Sequence, residues 1–248
     1  MRSGIGTRII RFIFQPVHGK ELRLVLPRWS LIHSVLILSA VVTAWFAGRF
    51  WVLPFAASFS FAGLVFCTRS SWTPAGAFGW ANTVTAFRLL GITALSLHYP
   101  FLEPAYVAWV GLVLLMMDGL DGWLARRSNQ ASEFGEYFDK ETDAFFLLVL
   151  CMLALLGHRL GYWVLVLGLL RYVFVILLCF LRPNLPQEKR STRARIIYGF
   201  IMGAILVSFL PYPDFYRPLV VIGTVGLVLS FTTDFLFSLS QNSELRAK

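Results

Sequence analysis

Apolar residues in this chain come in long blocks, neither alternating nor spread thinly among polar ones. Runs dominated by Leu, Val, Phe and Ala recur at roughly 31–47, 51–67, 84–99, 104–120, 143–157, 161–181, 196–211 and 217–238. A helix needs about 20 apolar residues to cross the hydrocarbon layer. The period-two alternation of a membrane β-barrel is missing from these runs. The pattern therefore predicts eight spans and an all-α integral membrane protein. The connections HYPFLEP, GHRL and PYPDFYRP are short enough for tight hairpins between antiparallel spans. One stretch breaks the rhythm. TRSSWTPAGAFGWAN, at 68–82, is rich in Ser, Gly and Pro and reads as a loop. It divides a leading two-helix hairpin from six later spans, giving a basic segment at 1–30, the hairpin with its loop at 31–81, a main domain at 82–238 and a tail at 239–248.

Composition agrees with the pattern. Hydrophobic residues make up 57% of the chain and charged residues 14%, against about 25% charged in a soluble domain; mean hydropathy is +0.69. The net charge of +9 invites a nucleic-acid reading, but its distribution argues against one. With the N-terminus in the cytoplasm, 17 Lys and Arg fall on the cytoplasmic side. Arg49, Arg159 and Arg217 remain on the other, the asymmetry of the positive-inside rule. Topology and anionic lipid account for the basic excess. The expected location is a bacterial cytoplasmic membrane, since the first 28 residues lack a signal-peptide pattern. The run RIIRFIF at 8–14 fits an interfacial helix or a basic arm. Cys67, Cys151 and Cys179 sit in separate apolar blocks without metal or redox spacing and read as small core residues.

The acidic residues are not distributed this way. Seven of the thirteen lie between 118 and 143, in DGLDGWLARRSNQASEFGEYFDKETD. Carboxylates beside apolar runs must be paired or bound. Asp118 and Asp121 are three apart and Asp139 and Asp143 four apart, so each pair shares a helix face. Gly135, four before Asp139, continues its stripe. Antiparallel packing of the two helices would bring all four aspartates to one level. An oxygen-only site of that kind suits Mg²⁺ or Mn²⁺, not the softer metals. Gly122 and Gly135 remove side chains where a ligand or a facing backbone comes close, and Arg126 offers a forked donor for phosphate.

The pattern D-x2-D-G-x2-A-R-x8-G-x3-D-x3-D, with every fixed position present, resembles the signature of the CDP-alcohol phosphotransferase family. That resemblance implies a core of six transmembrane helices over about 82–238, with the hairpin outside it. It implies that Asp118, Asp121 and Asp139 hold a metal pair against the pyrophosphate of a CDP-linked lipid donor. Asp143 would ligate metal or act as general base on the incoming alcohol, and Gly122, Ala125, Arg126 and Gly135 would line the nucleotide pocket. Asn82, Thr85 and Arg88, in ANTVTAFRLL, look like the family's N-x2-T-x2-R element and would also contact the donor; Ala81 stands where the family often has proline. A homodimer is a further expectation by analogy.

The acceptor is less clearly written. Arg171 interrupts an apolar run and must point into the bundle or a cavity. Arg193 and Arg195, just before the seventh span, offer cations for a phosphate on an acceptor such as glycerol 3-phosphate. The leading expectation is transfer of a phosphatidyl group from CDP-diacylglycerol to an alcohol, with release of CMP. The alternatives are transfer from CDP-choline or CDP-ethanolamine to diacylglycerol and, in another class, a cation-coupled transporter. Against the transporter, the acids sit near one face, and no inverted repeat is visible.

Overall fold

The computed structural model describes residues 22–127, 130–181 and 192–246, with the side chains of Arg23, Pro100, 121–126, 180–181, 192–195 and 234–246 outside that description. Among these residues the chain forms eight α-helices and no strand: α1 (Leu22–Ala47), α2 (Val52–Cys67), α3 (Trp80–His98), α4 (Pro104–Arg127), α5 (Glu133–Leu156), α6 (Leu165–Leu181), α7 (Thr192–Val207) and α8 (Pro213–Arg246). Short 3₁₀ turns at Tyr99–Phe101 and Tyr162–Val164 make the tight connections before α4 and α6. The RIIRFIF run and most of the basic 182–195 loop lie outside the described residues.

Three helical stretches are long and apolar enough to cross a membrane: Leu24–Ala47, Tyr162–Cys179 and Pro213–Thr233. Val52–Cys67, Pro104–Leu120 and Ile196–Val207 are apolar but shorter. Two helix starts differ most from the hydropathy reading. The first helix begins at Leu22 instead of 31, because Leu22 and Leu26 are buried one turn apart and extend the apolar face past Arg28. The fifth begins at Glu133 instead of 143, so the second half of the acidic motif is helical. Ser132 caps that helix. Its Oγ accepts from the Gly135 amide at 3.0 Å, and Glu133 and Glu136 complement the positive end of the helix dipole.

The bundle is built around α5. Every residue from Ala144 to Leu155 is buried, and a helix apolar on all sides belongs in the centre. It packs against α6, α3, α7 and, from the hairpin, α1. Contact with α6 is close because of Gly168, where an added Cβ would come 2.7 Å from the Leu148 Cα. Outward faces carry large apolar side chains such as Phe59, Phe87, Leu90 and Trp109, as expected of surface solvated by lipid. At the end where α1, α3, α5 and α7 finish, Trp45, Trp51, Tyr162, Trp163 and Tyr212 are all exposed, the composition of an interfacial aromatic belt. The acidic motif lies at the opposite end.

The hairpin is not a loose appendage. Ser30 Oγ donates to Glu141 Oε1 at 2.6 Å, and Arg171 Nη2 donates to the same oxygen at 2.8 Å, joining α1, α5 and α6 through one buried carboxylate. Beside it, His33 Nδ1 meets Ser60 Oγ of α2 at 2.8 Å and its ring stacks on Trp29 at 4.9 Å. His33 Nε2 has no hydrogen-bond partner among the described residues.

Candidate metal centre

Helix periodicity decides which carboxylates meet. On α5, positions 135, 139 and 143 form one stripe, and α4 ends with 118 and 121 a turn apart. Asp118 on α4 and Asp139 and Asp143 on α5 face one another. The outcome is that carboxylate oxygens of Asp118, Asp139 and Asp143 lie within 4.8 Å of one another. Two oxygens across an octahedral Mg²⁺ sit about 4.2 Å apart, so one cation can be reached by all three with small side-chain adjustments. Asp121 is one helical turn beyond Asp118, with its side chain outside the described residues, as are those of Gly122, Ala125 and Arg126.

The third helix supplies the counter-charge. Arg88 is fully buried. Its Nη1 lies 3.1 Å from Oδ1 of both Asp118 and Asp139, its Nη2 2.6 Å from Asp143 Oδ1, and its Nε donates to the Leu114 carbonyl at 3.2 Å. A planar fork suits this work, since two guanidinium nitrogens can serve three carboxylates at fixed angles. Among the described residues three carboxylates converge on one guanidinium, and a divalent cation would balance their charge when all are ionised. The donor set is oxygen only, chemistry that fits a hard metal ion.

Loop and cap residues hold this geometry from outside. Asn82 Nδ2 donates to the carbonyls of Phe78, at 2.6 Å, and Trp72, at 3.3 Å, while Ser132 Oγ donates to Trp72 O at 2.6 Å. One loop carbonyl thus ties the starts of α3 and α5 together. Asn82 Oδ1 takes the space a side chain at Gly135 would need, 2.7 Å from the position of its Cβ. At Gly135 the close approach is made by a neighbouring side chain, where the sequence suggested a ligand or a facing backbone. Thr85 Oγ1 donates to Ala81 O at 3.2 Å, within its own helix. Gln130 Oε1 accepts from the Trp80 amide at 2.9 Å, capping α3 from the α4–α5 connection. From α7, Tyr198 donates its hydroxyl to the Asp143 carbonyl at 2.7 Å.

The expected acceptor cations are placed differently. Arg171 reaches Glu141, on the face of α5 away from the aspartate stripe. Arg193 and Arg195 lie in the first turn of α7, with their side chains outside the described residues. Sequence reasoning missed Glu141 and Tyr198. Glu141 had a readable signal, since two positions from Asp139 and Asp143 put it about 200° round the helix from each.

Comparison with known proteins agrees with the geometry. A family model described as CDP-alcohol phosphatidyltransferase matches residues 78–234, from the loop before α3 into α8 and across every residue of the aspartate centre. No curated protein matches the sequence.

Proposed function

From the premise that this chain belongs to the CDP-alcohol phosphatidyltransferase family, we propose that it transfers a phosphatidyl group from CDP-diacylglycerol to a small alcohol and releases CMP. The observation that carries the reading is the convergence of Asp118, Asp139 and Asp143 around buried Arg88. Among the described residues three carboxylates share one guanidinium beside apolar helices, more acids than a simple structural ion pair needs. Asp118, Asp121, Asp139 and Asp143 would hold Mg²⁺ or Mn²⁺. Such ions, when bound, polarise phosphoryl oxygens and neutralise the departing phosphate.

The rest falls to the chain's own residues. Arg88 engages one oxygen of Asp143, and Asp143 Oδ2 accepts the proton of the acceptor hydroxyl. The hydroxyl oxygen then forms its bond to the phosphatidyl phosphorus. The bond from that phosphorus to the bridging oxygen breaks, and its electron pair leaves with CMP. General-base assistance of this kind contributes typically about 10²–10⁴-fold. Gly122, Ala125 and Arg126, at the end of α4, would receive the cytidine nucleotide, with Asn82 and Thr85 bordering it. Arg193 and Arg195, at the start of α7, are the cations best placed in the chain for a phosphorylated acceptor. All eight helices would cross the bilayer: six, α3 to α8, in the catalytic core, and α1 and α2 as an added hairpin. The excess of Lys and Arg at the aspartate end supports a cytoplasmic position for it.

The test is CMP release by purified protein with CDP-diacylglycerol and Mg²⁺ or Mn²⁺, over a panel of glycerol 3-phosphate, inositol phosphate, inositol, serine and choline. Acceptor-dependent CMP, lost in Asp143→Asn, supports the reading and names the product. Turnover only with CDP-choline and diacylglycerol would reverse the donor class, and no turnover with either donor would overturn it.

A further inference from the structure

At the end of the bundle opposite the aspartates, a cleft of about 690 Å³ opens where the hairpin turn, the α5–α6 connection and the start of α8 come together. Its lining includes Trp45, Phe50, Arg159, Tyr162, Trp163 and Arg217. From Asp143 to Leu155, whose side chain reaches the cleft, α5 rises about 18 Å, so this space is separate from the aspartate centre.

The wall is built, not incidental. The chain leaves α5 through His158, the one non-glycine residue with positive φ among those described, at 54°. A β-carbon in that conformation is disfavoured, and glycine is the usual solution. Here the turn is held by other bonds. The amides of Arg159 and Leu160 both return to the Ala154 carbonyl, at 2.9 and 3.3 Å. Tyr216 of α8 donates its hydroxyl to the Arg159 carbonyl at 3.3 Å. Trp45 of the hairpin packs edge-on against Tyr162 at 5.5 Å, closing the rim. The Arg159 backbone is thereby held in place, and Arg159 and Arg217 line the same cleft.

Neither arginine forms an ion pair with Glu103 or Asp214, the acidic residues at this end of the bundle, or with any other carboxylate among the described residues. Two guanidinium groups, a third basic side chain at His158, and an aromatic rim at the level of the interfacial belt form a cation-rich, half-apolar cleft. Guanidinium forks match phosphate oxygens bidentately. Tyr and Trp suit the depth where headgroup meets acyl chain. Below the cleft, α8 exposes Val221, Ile222, Val225 and Val228 along its length, a track for an acyl chain.

We propose that this cleft binds the headgroup of an anionic phospholipid from the leaflet opposite the aspartate centre. The phosphate sits between Arg159 and Arg217, and the tail lies along α8. The site is independent of the transferase chemistry and does not require it.

Native mass spectrometry of the full-length protein with phosphatidylglycerol, phosphatidylcholine or inorganic phosphate tests this. Phosphatidylglycerol should be retained over phosphatidylcholine. Arg159→Ala and Arg217→Ala should each weaken that retention about tenfold, the scale of one charge-assisted contact. The double variant should lose it while keeping its helical circular dichroism, and Arg159→Lys with Arg217→Lys should restore part of it. Asp143→Asn must leave it unchanged. Equal retention of the two lipids, undiminished retention in the double alanine variant, or loss in Asp143→Asn would overturn the assignment. So would full displacement of the lipid by inorganic phosphate, which would make this a free-anion site.

Discussion

Glu141 and Arg171 give the most demanding test of how this bundle is held together. Glu141 is completely buried, Arg171 is nearly so at 12% exposure, and they meet at 2.8 Å. Ser30 donates to the same carboxylate oxygen. Removing one member leaves the other as an uncompensated charge in a low-dielectric seam, at a cost of about 3–5 kcal/mol. Replacing both with leucine removes the orphaned charge along with the attraction, a change that is often neutral in buried pairs. Arg171→Leu and Glu141→Leu should each fall in the 3–5 range, therefore, and the double variant should recover about 2 kcal/mol or more relative to the sum. Ser30→Ala should cost only about 1–3 kcal/mol, because it takes one hydrogen bond from a charged acceptor. The assay is reversible unfolding in mixed micelles, followed by helical circular dichroism, on the four-member cycle. Strict additivity of the two single losses would show that the pair is not coupled and would refute the argument that it ties α5 to α6.

The other expectations are simpler. Asp143→Asn should lower kcat about 10²–10⁴-fold, as loss of a general base does, measured as CMP released at saturating donor. Chelation with EDTA should abolish turnover, and Mg²⁺ or Mn²⁺ should restore it; activity surviving exhaustive chelation would remove the metal from the proposal. Arg88→Lys keeps one charge but loses the fork that reaches three aspartates, so metal titrations of activity should show an altered activation constant as well as a lower maximum. Gly168→Ala pushes a β-carbon into the Leu148 backbone and should cost about 1–3 kcal/mol by overpacking, read in the same unfolding assay, with little change in metal activation.

Much of the aspartate centre could be read from spacing, because helical period and residue type were enough to put Asp118, Asp139 and Asp143 on facing stripes. What spacing could not supply was the third wall. Arg88 lies 51 and 55 residues from Asp139 and Asp143, and no local pattern announces a contact across that separation. In the sequence it looked like a donor-binding residue; in the fold it is bonded to the aspartates themselves. Asn82 and Thr85, from the same element, make backbone bonds that shape the start of α3. Glu141 went unremarked because it sits among seven acids and only the aspartates share a stripe. Its partner Ser30 lies 111 residues away, at the end of the stretch read as a basic N-terminal segment. Hydropathy windows placed the helices but misjudged the starts of α1 and α5, where polar residues on a helix belong to caps and packed faces, not to loops.

The bond between Ser30 and Glu141 also bears on how the chain reaches its membrane. Glu141 and Arg171 belong to helices made long after α1, and a charged residue at a helix centre costs about 2.5–3.5 kcal/mol on insertion scales. If the hairpin crosses the bilayer as proposed, it would be in place before those helices insert, with Ser30 and His33 on the side that meets them. The hairpin would thus be a docking partner for the segments least suited to lipid. Deleting it should show first as less inserted protein and more degradation, before any change in turnover per molecule. A hairpin outside the family-matched region would then be a built-in assembly factor, carried on the same polypeptide and left in place after use.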